Sequence, residues 1–149
     1  MNELTLEDGP ELRLERRYAH PIERVWRAIT DPEERGQWFP GTLEVTESDE
    51  PRVLAGTWYD DELRFELAPD GDGCVLVFTH AFEEGAKSAR DAAGWQSCFD
   101  RFDALLAGSP VDESAALESW PENHERYAER FGVDPELGRK AFAEHSPQQ

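Results

Sequence analysis

Four histidines and two cysteines are the side chains best suited to metal binding, proton transfer or nucleophilic attack in this chain. The histidines, His20, His80, His124 and His145, lie far apart. None sits in an HExxH motif or shares a helix face with a ligand-spaced carboxylate, so no metal site is expected. His20 stands before Pro21 at a helix start and reads as a capping or surface residue. His80 closes an apolar strand, the usual setting of a structural histidine. Cys74 and Cys98 lack paired ligand spacing and are expected to be reduced, packed thiols. Cys98 falls on the inward stripe of a long helix, where a thiol without a basic neighbour is inert. Ser88, Ser97 and Ser109 fit no nucleophile elbow. The segment PDGDG joins two strands instead of opening a helix, so it is a turn and not a phosphate loop. Pairs such as Asp60–Asp61 and Glu83–Glu84 carry no weight in so acidic a chain and read as turns and solvated edges. No cofactor is expected.

What remains is aromatic. Trp38, Trp58, Phe65, Phe78, Trp95, Phe99 and Phe102 come from a helix-to-strand corner, a sheet and a long helix, with Cys98 on the same helical stripe. Such a set is a core first, and a pocket where its volume is left unfilled.

Charge narrows the partners. The 149 residues hold 33 acidic and 15 basic side chains, a formal charge of −18, and the segment 111–149 shares the excess. That field repels phosphate backbones and anionic lipid, which argues against nucleic acid and membrane as partners. All basic residues but Lys87 and Lys140 are arginine. This composition resembles that of proteins from high-GC or salt-adapted organisms, in which acidity serves solubility. No run approaches the roughly 18 apolar residues of a membrane span. The acidic start MNELTLEDGPEL lacks a secretory pattern, so a cytoplasmic location is expected.

The elements that must position the aromatics follow from periodicity. ELRLERRYA alternates as a strand, and HPIERVWRAIT places Ile22, Val25, Trp26 and Ile29 on one helical face behind Pro21. Asp31, Pro32 and Glu34 form a second start signal, opening a short helix that delivers Trp38 and Phe39 to the corner. TLEVTES, VLAGTWY, ELRFELA and CVLVFTH read as antiparallel strands, with Leu63, Phe65 and Leu67 on the buried face. YDDE and PDGDG supply the turns. From about Ala86 the period becomes helical: Trp95, Cys98, Phe99, Phe102, Leu105 and Leu106 form one stripe, stopped by Gly108 and Pro110. Beyond lies a helical tail, with Trp120, His124, Tyr127 and Phe131 on one face, then Asp134, Pro135, Leu137 and Ala141 in a further start. The expected organisation is a domain over 1–110 and a tail over 111–149, packed on that domain or on a second subunit. The fold class is α+β.

HPIERVWRAITDPEERGQWF, LAPDGDGCVLVFTHAF and AAGWQSCFDRFDALLAG, in this order and spacing, resemble the SRPBCC or START-like helix-grip superfamily. Within it they resemble the branch named for homology to the activator of the heat-shock-protein-90 ATPase. The tail WPENHERYAERFGVDPE is similar to tails of bacterial members. The resemblance implies a curved antiparallel sheet gripping a long C-terminal helix, often around an apolar cavity. It also implies a departure. Members usually carry two more strands after the WF corner, so the sheet here is shortened and its cavity small, open at one side or closed by a partner.

Three functions follow. The leading expectation is a non-catalytic module holding a hydrophobic or aromatic small molecule between helix and sheet, lined by the seven aromatics and Cys98. The alternatives are a protein-interaction or chaperone-associated factor, with a homodimer as one form, and a polyketide cyclase-like enzyme. The polar candidates for such an enzyme are Arg16, Tyr59, Gln96 and Cys98. Gly94 bears on the choice. A glycine inside a helix costs about 1 kcal/mol, and beside Trp95 it would admit a close backbone neighbour or leave space for a ligand.

Overall fold

The computed structural model describes residues 4–7, 11–82, 88–136 and 138–140. Its elements are β1 (Thr5–Glu7), β2 (Glu11–Tyr18), α1 (Ile22–Thr30), α2 (Pro32–Arg35), β3 (Glu44–Asp49), β4 (Val53–Trp58), β5 (Asp61–Asp70), β6 (Gly73–Ala81), α3 (Ser88–Leu106), α4 (Glu113–Leu117) and α5 (Trp120–Phe131). The strands form one antiparallel sheet in the order β1-β2-β6-β5-β4-β3, open at both edges. The short β1 and α4 add to the elements that periodicity picks out. Four strands, β3 to β6, separate α2 from α3.

Period-two alternation sets the inner face. Leu14, Phe78, Phe65 and Leu54 stand side by side across four strands, and Leu12, His80, Leu63 and Gly56 form the next row. Arg16, Leu76 and Leu67 form the row on the other side. β6, apolar nearly throughout, still alternates: Cys74, Leu76, Phe78 and His80 are buried and the residues between them half-buried. β3 has no buried residue. It is held by Gly56, where an added Cβ would collide with the Glu44 carbonyl, so the close approach of β3 to β4 requires glycine.

The two short helices seal one end of the core. Asp31 caps α2 by accepting from the Glu34 N–H at 3.1 Å. The Glu34 carboxylate turns instead to Arg24 (2.7 Å) and Arg27 (2.8 Å), pinning α2 against α1. Trp38 then donates its indole N–H to the Ala28 carbonyl at 2.9 Å and is wholly buried.

α3 lies on the inner face, and α5 lies along α3 of its own chain. Tyr127 donates to Gln96 Oε1 at 2.7 Å and accepts from the Leu4 N–H at 3.1 Å. Ser97 donates to the Ala116 carbonyl at 3.3 Å. Leu137 and Ala141 lie outside the described residues.

Gly94 corrects one expectation. Among the described residues no atom lies within 4 Å of a Cβ built there, so no strand or corner approaches its backbone. Trp95 turns inward regardless, at 2% exposure. Gly94→Ala is therefore expected to raise stability by about 1 kcal/mol, from helix propensity and a stiffer unfolded chain. A thermal melt of the unliganded protein checks this; a lower melting temperature would reveal a hidden steric demand.

Candidate functional site

Six of the seven sequence-predicted aromatics meet in one cluster. Trp38, Phe65, Phe78, Trp95, Phe99 and Phe102 are each 2% exposed or less. Their rings meet at 4.7 Å (Phe78–Trp95), 4.8 Å (Trp38–Phe102) and 5.0 Å (Phe65–Phe78, Phe78–Phe99), in tilted or edge-on geometry. Such pairs contribute about 0.5–1.5 kcal/mol each beyond their burial.

Trp58, the seventh, is half-buried. Its ring lies 5.0 Å from Trp95 and 6.4 Å from Phe39, and its N–H is donated to the Pro40 carbonyl at 2.6 Å. Tyr59, 75% exposed, continues the series outward, 4.8 Å from Trp58 on the two-residue β4–β5 turn. Tyr59 and Asp60 both have positive φ, 48° and 70°, as a type I′ hairpin demands. The aromatics thus run from a dry core to the surface at Trp58. Phe39, read from the sequence as a corner residue but not counted among the seven, belongs to this set.

Cys98 departs from expectation: it is half-buried on the flank of α3, not on its inward centre. At 100° per residue, Gly94, Cys98, Arg101 and Leu105 share one stripe. Asp103, on the opposite flank, meets β2 through Arg16 at 2.7 Å. The Gly94–Leu105 stripe therefore lies on the side of α3 away from β2. Neither cysteine forms a disulfide.

A polar relay that sequence inspection passed over sits beside the aromatics. His80, fully buried, accepts the Trp95 indole N–H at Nδ1 (2.9 Å), and its Nε2 faces Asp61 Oδ2 at 2.8 Å. An indole can only donate, so the proton of a neutral His80 sits on Nε2 and is donated to Asp61. Both ring nitrogens are engaged, and neither is open to a substrate proton in this arrangement. The signal was present in the β5–β6 register. Leu63 pairs with His80, which places Asp61 at the diagonal same-face position, within reach of a long side chain.

The other proposed polar groups are not brought together. Arg16, 5% exposed, pairs with Asp103 and with Asp100 (3.6 Å), while Tyr18 donates to Asp103 at 2.7 Å. Burial raises the Asp103 carboxyl above its ordinary range even against the Arg16 charge, and burial raises the Tyr18 phenol. Gln96 bonds Tyr127, and Tyr59 is on the surface. Among the described residues no three histidines, cysteines or carboxylates could hold a metal ion, and no helix is long and apolar enough to cross a membrane.

Asp91, in the first turn of α3, has its carboxyl raised chiefly by burial, opposed by Arg90 and His80. Its folded form thus holds a proton more tightly than the unfolded chain. Its contribution to stability is full below the ordinary carboxylate range and declines as pH rises through the raised value. Asp91→Asn should therefore melt higher at pH 7, with the gap closing as pH falls through the carboxylate range; melts between pH 3 and 7 check the sign.

Residues 35–107 match the family described as Activator of Hsp90 ATPase homolog 1-like protein. No curated protein matches the chain. Among solved structures, CalU16 from Micromonospora echinospora is 21% identical with a TM-score of 0.68, over 87% of this chain and 94% of that one. A conserved protein of unknown function from Enterococcus faecalis is 21% identical at TM-score 0.71, over 88% and 90%. The Aha1 dimer from Colwellia psychrerythraea is 13% identical at TM-score 0.56, over 64% and 95%. At these identities the likeness carries the fold alone. Residues 35–107, from the end of α2 to the end of α3, thus carry the signature of the Activator of Hsp90 ATPase homolog 1-like family, and the chain as a whole has the helix-grip fold.

Proposed function

We propose that this protein is a non-catalytic binding module for a hydrophobic or aromatic small molecule, seated between α3 and the sheet and entered beside Trp58. One observation carries the reading. The aromatic cluster stays unclosed at Trp58, which is half-buried against Phe39 and Trp95, while the neighbouring turn of α3 carries Gly94, where a built Cβ meets no other element within 4 Å among the described residues. A flat apolar molecule stacking on Trp58 would extend the cluster at little cost in protein rearrangement. The family and fold are also consistent with a chaperone-associated role, and the described dimeric state of the Colwellia psychrerythraea relative makes self-association the competing use of this surface.

Native mass spectrometry of gently purified protein separates the two. The binding module predicts a mass increment that survives purification, is lost on denaturation, and is absent from Trp58→Ala. A bare dimer would transfer the reading to protein interaction. A bare monomer whose melting temperature is unmoved by 2-naphthol or decanol would end it.

A further inference from the structure

We infer that the molecule held beside Trp58 is a hydrophobic carboxylate, its apolar body along the Gly94–Leu105 flank of α3 and its anionic head on Arg101. The inference rests on the binding-module reading and adds the ligand's class to it.

Arg101 supplies the first reason. In a chain of net charge −18 an arginine finds carboxylates easily. Arg16, Arg24, Arg64 and Arg90 are all paired. Arg101 has no ion-pair or hydrogen-bond partner among the described residues, and its Nε–H is closed off from solvent without an acceptor. The terminal N–H groups, unlike Nε, are not enclosed, and an anion would engage them by charge-assisted bonds.

The stripe supplies the second. Gly94, Cys98 and Leu105 accompany Arg101 on one flank, Cys98 and Leu105 only partly buried against the core, with nothing among the described residues within 4 Å of a Cβ built at Gly94. From Gly94 to Arg101 is about 10 Å along the helix. That span suits a medium-length acyl chain or a two-ring aromatic acid, with its tail at the Trp95–Trp58 end and its head at the cation. The protein's overall field opposes any anion. A preference for one would therefore be local, and Arg101 is the cation on this flank that has no carboxylate partner among the described residues, since Arg90 pairs with Asp91.

The test titrates decanoate and 1-decanol, followed by tryptophan fluorescence, against the full chain and against Arg101→Gln and Arg101→Lys, with melts confirming that each variant folds. The wild type is expected to favour decanoate by about tenfold, the worth of one charge-assisted hydrogen bond. Arg101→Gln should abolish or reverse that ratio, and Arg101→Lys should retain part of it. Equal binding of the two probes, or a ratio unchanged by Arg101→Gln, overturns the anionic head while leaving the binding-module reading standing. Binding of neither probe overturns that reading as well.

Discussion

Trp38→Ala is expected to cost about 4 kcal/mol of unfolding free energy, seen as a lower urea midpoint at unchanged slope. Trp38 has no exposed surface and meets Phe39, Phe65, Phe99 and Phe102 within about one ring's width, 4.8 to 6.1 Å between centroids. It also ties α1 to the core through the Ala28 carbonyl. Truncation removes the transfer energy of an indole, opens a cavity bounded by rigid rings, and leaves a carbonyl unpaired. A domain of this size holds roughly 5–15 kcal/mol in all, so the variant should be partly unfolded on mild warming. Trp38→Phe keeps a ring and loses only the hydrogen bond and some volume, for about 1–2 kcal/mol. Near-equal losses in the two variants would mean that the hydrogen bond, and not the packed volume, dominates.

The second large effect concerns the relay. His80→Leu is expected to cost about 2–3 kcal/mol, because the Trp95 N–H is left buried without an acceptor. Asp61, partly exposed, can turn to water and adds little. The discriminating measurement is the cycle with Trp95→Phe. If the donor–acceptor pair is the source of the loss, the double variant should recover about 1–2 kcal/mol relative to the sum of the singles. Strict additivity would show that shape alone is at stake at both positions.

These two sites differ in how readily sequence discloses them. Trp38 was legible because a capped short helix and a WF pair announce a corner, and corners close cores. The relay was not, since Asp61 and His80 are joined by hairpin register over nineteen residues of chain. Register can be read from the PDGDG turn only once the turn's length is fixed. Arg16 shows the same limit: alternation with Leu12 and Leu14 puts it on the inner face, but its partners Asp100 and Asp103 lie on a helix some 85 residues away. Cys98 was assigned inward because a 3.6-residue stripe has no sharp edge, and only the helix's rotation on the sheet separates centre from flank.

By itself the sequence determined the strands β2 and β4 to β6, the helices α1, α3 and α5, and the apolar face each presents. Those depend on periodicity, caps and turn residues, which act over a few neighbours. Tertiary structure alone decided that α5 packs on α3 within its own chain, that the Trp95 indole donates to His80, and that among the described residues nothing comes within 4 Å of a Cβ at Gly94. It also decided that Arg101 meets no carboxylate among the described residues of an acidic protein. Each of these depends on which surfaces face one another after folding, a matter of long-range geometry that no local pattern encodes.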